Sequence, residues 1–582
     1  MATKRVVIDP ITRIEGHLRV EVVLDENNVV KDAYSSATLW RGIEVILKGR
    51  DPRDAGFITQ RICGVCTYSH YKGGITAVED ALGIEPPLNA KLTRTLLDFA
   101  LFFHDHIVHF YQLHALDWVD IVSALSADPV KASDLAFKYV PKGYNPIATG
   151  VDELKEVQRR VKKFAEKGDL GPFKNGYYGH PTMQFSPEQN LIALSHYLKT
   201  LEMQRIAAQM MAIFGGKNPH PQSLTVGGVT CIMDLQDPAR LAEYLTKFKQ
   251  LADYTNRAYY ADIVMAAEAY RNEPSVTAKN NLGNYLSYRF MQTGAESWLF
   301  DARGYIKNFD LGKYYEIDES KIEEDVTHSW YKDTGFRHPW KGETVPNYTG
   351  YMDGNSINGK GEEVSVKIVN PKGKYSWIKS PRYNKEPMEV GPLACMVVNY
   401  AKGNKKVRQV VDSFLTQTGL PAEALFTVLG RTAARMLQTK VVADYGLEAF
   451  NNLVENLKKD TTTVTPYQID PNKEYKGRFI GDVPRGMLSH WCRIKNGKIE
   501  NWQAVVPSTW NAGPMDGNGK KGAYEANLIG MKIADPSKPL EVIRSIHSYD
   551  PCIACAVHVM DLKGKMVGEF RIDPLYGGSC GI

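Results

Sequence analysis

Residues 5–8, 17–24 and 29–37 alternate or run apolar and are rich in β-branched side chains, which predicts short strands with a turn at Asp25-Glu26-Asn27-Asn28. From about 53 to 82 the spacing becomes helical, interrupted at Cys63-Gly64-Val65-Cys66. A longer helix is predicted over 88–119, because Leu92, Leu96, Phe99, Phe103, Ile107, Phe110 and Leu113 recur at steps of three and four. Ser186-Pro187-Glu188 supplies a cap, a first-turn proline and a first-turn acid for a helix running to Gly215-Gly216. Residues 236–270 and 421–458 also read as long helices. At 1.5 Å per residue, helices of roughly 25–35 residues span about 40–50 Å. The pattern therefore predicts a predominantly helical α+β chain with a central bundle of long helices, not a doubly wound sheet.

Between 278 and 385 the periodicity gives way to aromatics, glycines and charge, including Tyr288, Trp298, Trp330 and Trp340, and predicts a mixed β and loop insertion. Turns and short strands are expected over 476–510. No internal repeat or low-complexity tract divides the chain. The expectation is one body over 1–558, with an N-terminal β region at 1–60, the first metal motif and long helices at 61–277, the insertion at 278–385, and helices with the second metal motif at 386–558.

Composition narrows the function classes. Of 582 residues, 43% are hydrophobic and 24% charged, ordinary for a globular enzyme body with a sizeable core. The net charge is only +5 with no dominant Lys/Arg block, so nucleic acid is not the expected partner. The N-terminus lacks a secretory apolar core, and no run approaches the ~18 apolar residues of a membrane span.

The strongest chemical signal is a pair of Cys-x-x-Cys motifs at opposite ends of the chain. Cys63-Gly64-Val65-Cys66 and Cys552-Ile553-Ala554-Cys555 use half of the 8 cysteines, and Cys552 follows Cys66 by 486 positions. Structural zinc uses such pairs within a few tens of residues, and a thioredoxin-type motif leaves a second pair unexplained. Four converging thiolates make a soft site for zinc or a redox metal. The remaining cysteines, Cys231, Cys395, Cys492 and Cys580, are too scattered for a disulfide framework.

The flanking residues decide between the metals. Arg61-Ile62-Cys63-Gly64-Val65-Cys66-Thr67-Tyr68-Ser69-His70 and Asp550-Pro551-Cys552-Ile553-Ala554-Cys555-Ala556-Val557-His558 resemble both metal-binding signatures of the nickel–iron hydrogenase large subunit. The resemblance spans the chain, through Asp9-Pro10-Ile11-Thr12-Arg13-Ile14-Glu15-Gly16-His17, Arg41-Gly42-Ile43-Glu44, Gly215-Gly216-Lys217-Asn218-Pro219-His220, Pro484-Arg485-Gly486 and Val505-Val506-Pro507-Ser508-Thr509-Trp510-Asn511. It is nearest to the membrane-associated uptake group.

The resemblance implies a Ni-Fe centre that cleaves dihydrogen reversibly into protons and electrons, with carbon monoxide and cyanide on iron. Cys63 and Cys552 would be terminal nickel ligands, while Cys66 and Cys555 would bridge to iron. Cys552 would act as the first base, Glu15 as its proton acceptor, and Arg485 as an electrostatic partner flanked by Asp105 and Asp550. Arginine is a poor base because it hardly deprotonates. Arg485 and Ser508 would hydrogen-bond the cyanides, with Pro484, Leu488 and Val506 around carbon monoxide. A magnesium or similar cation would take Glu44, the Ala504 carbonyl and His558. Val65 and Leu113 match residues that narrow a gas tunnel.

The same resemblance implies several partners. These are an iron–sulfur small subunit, a membrane cytochrome b anchor reached through it, nickel-insertion proteins and a maturation endopeptidase that cuts after His558. It implies a place at the periplasmic face of a membrane, after export with the small subunit. Residues 559–582 would then be a propeptide, although Met566-Val567-Gly568-Glu569-Phe570-Arg571-Ile572 also reads as a strand. Three alternatives stand beside this reading: the quinone-site subunit of complex I, which has lost these cysteines; a hydrogen sensor, which ends at the C-terminal histidine; and a structural zinc protein.

Overall fold

Strands β1 (Lys4–Ile8), β2 (Leu18–Leu24) and β3 (Val30–Ala37) form an antiparallel sheet in that order in the computed structural model, matching the alternation that predicts them. The structure describes residues 3–556, apart from 169, 175 and 176. Its helix and strand content is 45% and 18%, a mixed α/β chain dominated by helix.

Helix α1 (Thr67–Leu82) follows the first cysteine pair, and α2 (Leu88–Val108) runs back through the core. Apolar side chains cover almost the whole circumference of α2, so its charged residues are buried with partners. Arg94 pairs with Glu79 through two bonds of 2.8 and 2.7 Å, and Asp98 accepts from Lys72 at 2.5 Å. Removing one partner from such a buried pair costs about 3–5 kcal/mol, because the other charge is left unpaired.

The expected helix over 88–119 is α-helical only to Val108. It then widens into a π turn at His109–His114 and tightens through Ala115–Asp117. Such local changes of winding redirect side chains and recur at functional sites. Helix α3 (Pro187–Gly215) starts where its cap predicts: Ser186 Oγ accepts from the Gln189 N–H, and Gln189 returns the contact to the Ser186 N–H. Residues 236–270 are helical as expected, as α4 (Pro238–Tyr254), a π turn at Thr255–Tyr259 and α5 (Tyr260–Ala269).

The single helix expected over 421–458 is corrected to two, α6 (Val428–Tyr445) and Leu447–Leu457. The break falls at Gly446, where a Cβ would come within 2.9 Å of the Phe248 ring, so the glycine that permits the close approach also weakens the helix. Helix α2 packs on α3 and α6, α3 on α4, and α6 on α4 and α5. Phe99 and Phe103 meet Phe248 edge-on, and Phe110 stacks on Tyr259 at 5.0 Å.

The insertion is a set of short strand pairs, such as Tyr285–Ser287 with Gly304–Ile306, as its composition suggests. The segment over 476–510 is more regular than expected. Strands β4 (Tyr475–Val483), β5 (Gly486–Lys495) and β6 (Lys498–Val505) form an antiparallel sheet, and Pro507–Ala512 is helical. Strand β5 is buried on both faces by α1 and its neighbours, so it lacks the alternation that marks a half-exposed strand. Helix α7 (Leu540–Ser548) leads to the second cysteine pair, of which Cys555 lies in the short α8 (Ile553–Ala556). Among the described residues no helix is long and apolar enough to cross a membrane.

Candidate metal centre

The fold brings the two cysteine pairs together. Cys63 leaves a short helical turn in extended conformation and Cys66 caps α1, so both thiols project from the start of a rigid helix. Cys552 and Cys555 lie at and within the turn of α8. The sulfurs are 3.2 Å apart for Cys63 and Cys552, 3.8 Å for Cys66 and Cys552, 3.1 Å for Cys66 and Cys555 and 2.8 Å for Cys552 and Cys555. All four lie within 4.8 Å of one another, and none forms a disulfide. Thiolates bound to one ion at about 2.3 Å in tetrahedral array sit about 3.8 Å apart, so this cage fits a thiophilic metal.

Electrostatics supports the same fit. Four buried thiols in contact cannot all ionise unaided. Burial pushes Cys552 and Cys555 well above the usual thiol range. Cys63 goes down despite its burial, because neighbouring cysteines hydrogen-bond to it and Arg485 lies nearby. The Val65 and Cys66 N–H groups also donate to the Cys63 sulfur, at 3.1 and 3.2 Å. A bound cation would stabilise all four as thiolates.

Glu15 reaches this cage from the opposite end of the chain. The Cys552 thiol donates to Glu15 Oε2 at 3.2 Å, and the Ala554 N–H donates to the same oxygen at 2.9 Å. Backbone pairing fixes the approach, since Glu15 N–H donates to the Pro551 carbonyl and Ile553 N–H to the Glu15 carbonyl at 2.8 Å. Gly16 sits at φ 81°, and a Cβ there would lie 2.4 Å from the Ala554 nitrogen, so only glycine allows the contact. Burial, followed by the charge of Cys63, raises the Glu15 carboxyl to about 7.

Arg485 comes from the tip of the β4–β5 hairpin, where Val483 pairs with Gly486 across Pro484-Arg485. Its Nη1 donates to Asp105 Oδ2 at 2.8 Å, Nη2 lies 3.1 Å from Asp550 Oδ1, and Nε donates to the Asp550 carbonyl at 3.1 Å. Burial would lower the Arg485 pKa, but Asp550, Asp105 and the sulfurs outweigh it and hold the guanidinium charged. Pro484, Leu488, Val506 and Ser508 are all buried. Ser508 Oγ accepts the Cys552 N–H at 3.0 Å, which leaves its O–H available to donate. Val65 is partly buried between the first two cysteines, and Leu113 lies in the π turn.

Glu44 lies apart from the cysteine cage, in a small pocket with Glu324, Thr344, Lys379 and Ala504. Its Oε1 accepts the Ala504 N–H at 2.8 Å, while Oε2 meets the Thr344 hydroxyl and lies 3.4 Å from Lys379 Nζ. Burial raises Glu324 to about 7 despite Lys379, and its Oε1 is buried without a hydrogen-bond partner among the described residues. Two carboxylates facing one ammonium, with an orphaned oxygen, fit a hard cation or its water. His558 lies outside the described residues, as does the tail from 559.

Sequence reasoning missed the arginines that hold the parts together. Arg41 donates to the Ile62 carbonyl and, at 3.0 Å, to the Ala554 carbonyl, joining the backbones of both cysteine motifs. Arg435 lies 3.7 Å from Asp550 Oδ2 and donates to the Ser548 carbonyl. Arg41 lies in the Arg41-Gly42-Ile43-Glu44 stretch, where the resemblance singles out Glu44 alone. Nothing in the sequence marks Arg435, or the Lys379–Glu324 pair, as different from surface charge.

A family model described as nickel-dependent hydrogenase matches residues 41–558, and one described as HoxL-like matches residues 5–38. The quinone-reactive Ni/Fe-hydrogenase large chain of Wolinella succinogenes is 63% identical over 576 residues, covering 99% of both chains. The uptake hydrogenase large subunit of Rhizobium leguminosarum bv. viciae is 44% identical, over 98% of this chain and 97% of its own. Among solved structures, the Ni-Fe-Se hydrogenase of Desulfovibrio vulgaris Hildenborough in the reduced state has a TM-score of 0.72 at 31% identity, covering 96% of this chain and all of its own.

Proposed function

This chain belongs to the nickel-dependent hydrogenase family as a catalytic large subunit that oxidises dihydrogen, and from that premise we propose how its own residues serve the reaction. Cys63 and Cys552 would hold nickel, and Cys66 and Cys555 would hold both nickel and iron. When bound, the metal pair, with carbon monoxide and cyanide on iron, supplies the heterolytic cleavage of dihydrogen. The chain's task is then to receive a proton, stabilise charge and exclude water.

Cys552 receives the proton at sulfur and passes it to Glu15 Oε2. The single observation that carries this reading is the 3.2 Å contact between a cage sulfur and a carboxyl raised to about 7. A carboxyl in that range both accepts and releases a proton near neutral pH. Arg485 stays protonated between its two carboxylates and contributes electrostatic stabilisation. Its remaining N–H groups and the Ser508 hydroxyl would donate to the cyanides, and Pro484, Leu488 and Val506 would give the carbon monoxide apolar surroundings. Val65 and Leu113 narrow the gas path.

Glu44, the Ala504 carbonyl and His558 would hold magnesium or a similar hard cation, with Glu324 and Lys379 beside Glu44. Residues 1–558 act as one body in which the long helices form a central bundle. The family match ends at residue 558, which supports a tail 559–582 removed after metal insertion. Electrons leave through an iron–sulfur small subunit to a membrane cytochrome b at the periplasmic face, and on to quinone. The names of the relatives support uptake toward a respiratory chain.

Metal analysis with infrared spectroscopy of the active enzyme tests this reading. Nickel and iron with bound carbon monoxide and cyanide bands are expected; zinc alone would refute it. Turnover with an electron acceptor separates the enzyme from a hydrogen sensor.

A further inference from the structure

Away from the cysteine cage, His114, Asp117 and His547 converge closely enough to resemble a second cation site, and all three are buried. Their hydrogen bonds argue otherwise. Trp118 Nε1–H donates to His114 Nε2 at 3.0 Å, so the His114 proton sits on Nδ1, which faces Asp117 Oδ2 at 2.9 Å. His547 presents one ring nitrogen to Asp117 Oδ2 at 2.6 Å and the other to the Thr12 carbonyl at 2.7 Å.

Arg13 completes the group. Its Nη2 donates to Asp117 Oδ1 at 2.5 Å and its Nη1 to the Leu113 carbonyl at 2.8 Å. Arg544 Nε donates to the Asp117 backbone carbonyl at 3.0 Å. Burial alone would raise the Asp117 carboxyl; Arg13, His547 and His114 outweigh it and hold it well below the usual carboxylate range. The Asp117 carboxylate is thus already engaged by three ring and guanidinium nitrogens, with the Arg544 guanidinium on its backbone carbonyl.

We propose that Arg13, Asp117 and His547 form a buried clamp that positions Glu15 against Cys552. Thr12 and Arg13, which this clamp grips, lie three and two residues before Glu15. Arg13 itself is held at φ 54°, a left-handed conformation that costs about 1–2 kcal/mol for a non-glycine residue and persists only where surroundings fix it. On the other side, the His547 carbonyl accepts the Asp550 N–H at 2.9 Å and His109 Nε2–H at 2.8 Å. One carboxylate thus ties together the Glu15 loop, the π turn after α2 and the segment leading to Cys552. Two of these pieces carry the carboxyl and the sulfur of the contact, and the π turn anchors both to α2. Arg13, Asp117 and His547 are positioning residues, since none reaches the cage.

This inference rests on reading Glu15 as the proton acceptor, so Glu15→Gln accompanies the test. In the metal-loaded enzyme with its small subunit, Arg13→Gln should lower dihydrogen oxidation per nickel by about 10- to 100-fold, the cost of roughly 1 Å of misplacement. The KM for dihydrogen should not change, and the solvent deuterium isotope effect should rise as proton transfer becomes limiting. Arg13→Lys, which keeps a charged donor, should recover part of the loss. Asp117→Asn should repeat the Arg13→Gln behaviour if it folds; Arg13 is partly exposed and carries the test if it does not. Unchanged turnover per nickel with an unchanged isotope effect in Arg13→Gln overturns the inference. So does activity that falls only in step with nickel content, since that marks a folding role. Full turnover in Glu15→Gln defeats the underlying reading instead, whereas an inactive Glu15→Gln beside a normal Arg13→Gln defeats the clamp alone.

Discussion

Glu15→Gln separates proton transfer from metal assembly. The amide oxygen can still accept the Ala554 N–H now bonded to Glu15 Oε2 at 2.9 Å, and the side-chain volume is unchanged. What is lost is a group able to carry a proton away from Cys552 near neutral pH. General acid–base groups contribute about 10²–10⁴-fold, so turnover should fall by that factor, or about 3–5 kcal/mol in the barrier. Stability should move the other way. The Glu15 carboxyl lies at about 7 in the folded chain against an ordinary 4.5, so the folded state binds the extra proton between those values. Its contribution is present below pH 4.5 and is lost as pH rises to 7, which costs at most about 3 kcal/mol above neutrality. An uncharged glutamine escapes that loss, so the metal-free variant should melt no lower than the parent at pH 8. Nickel content, the infrared bands, turnover and exchange between deuterium gas and water protons would be measured together. Undiminished exchange with full nickel removes Glu15 from the proton path. A lower melting point at pH 8 would show that burial of its charge is not what raises its pKa.

Each of Cys63→Ser, Cys66→Ser, Cys552→Ser and Cys555→Ser should abolish turnover and reduce bound nickel, because a hard oxygen cannot replace a soft thiolate. Near-normal activity and nickel in any of them would remove that sulfur from the ligand set. Arg485→Lys should retain the metals yet lose most activity, since an ammonium cannot span Asp105 and Asp550 as the guanidinium fork does at 2.8 and 3.1 Å. Wild-type turnover there would mean that charge alone suffices. Mass spectrometry of the active enzyme should give a chain ending at His558, and active, metal-loaded protein ending at Ile582 would defeat the processing step.

The parts legible in the sequence are those whose signal is local. The cap at Ser186, the N-terminal alternation and the cysteine spacing each state their structure within a few residues. Strand β5 was obscured because burial on both faces erases alternation, and the Gly446 break depends on Phe248, nearly 200 positions away. The arginines were least legible. Arg435 lies in a helix that reads as ordinary core, and only the fold sets it 3.7 Å from Asp550.

That placement bears on which group takes the proton. Two arginines and two carboxylates form a buried group beside the cysteines: Arg485 between Asp105 and Asp550, and Arg435 on the far oxygen of Asp550. Their formal charges cancel, so the assembly does not repel a thiolate cluster as bare carboxylates would. The same pairing makes Arg485 a worse base, because deprotonating it would leave two buried carboxylates unopposed. Glu15 differs on both counts. Among the described residues it has no arginine in hydrogen-bond contact, and its carboxyl lies near neutrality next to the Cys552 sulfur. Replacing both Asp105 and Asp550 with Asn would therefore weaken the hold on Arg485 without creating a second proton acceptor. The proton should still pass through Glu15, and activity in that double variant should remain sensitive to Glu15→Gln. If Glu15→Gln had no further effect there, the arginine side would have taken over the transfer, and the division of labour argued here would be wrong.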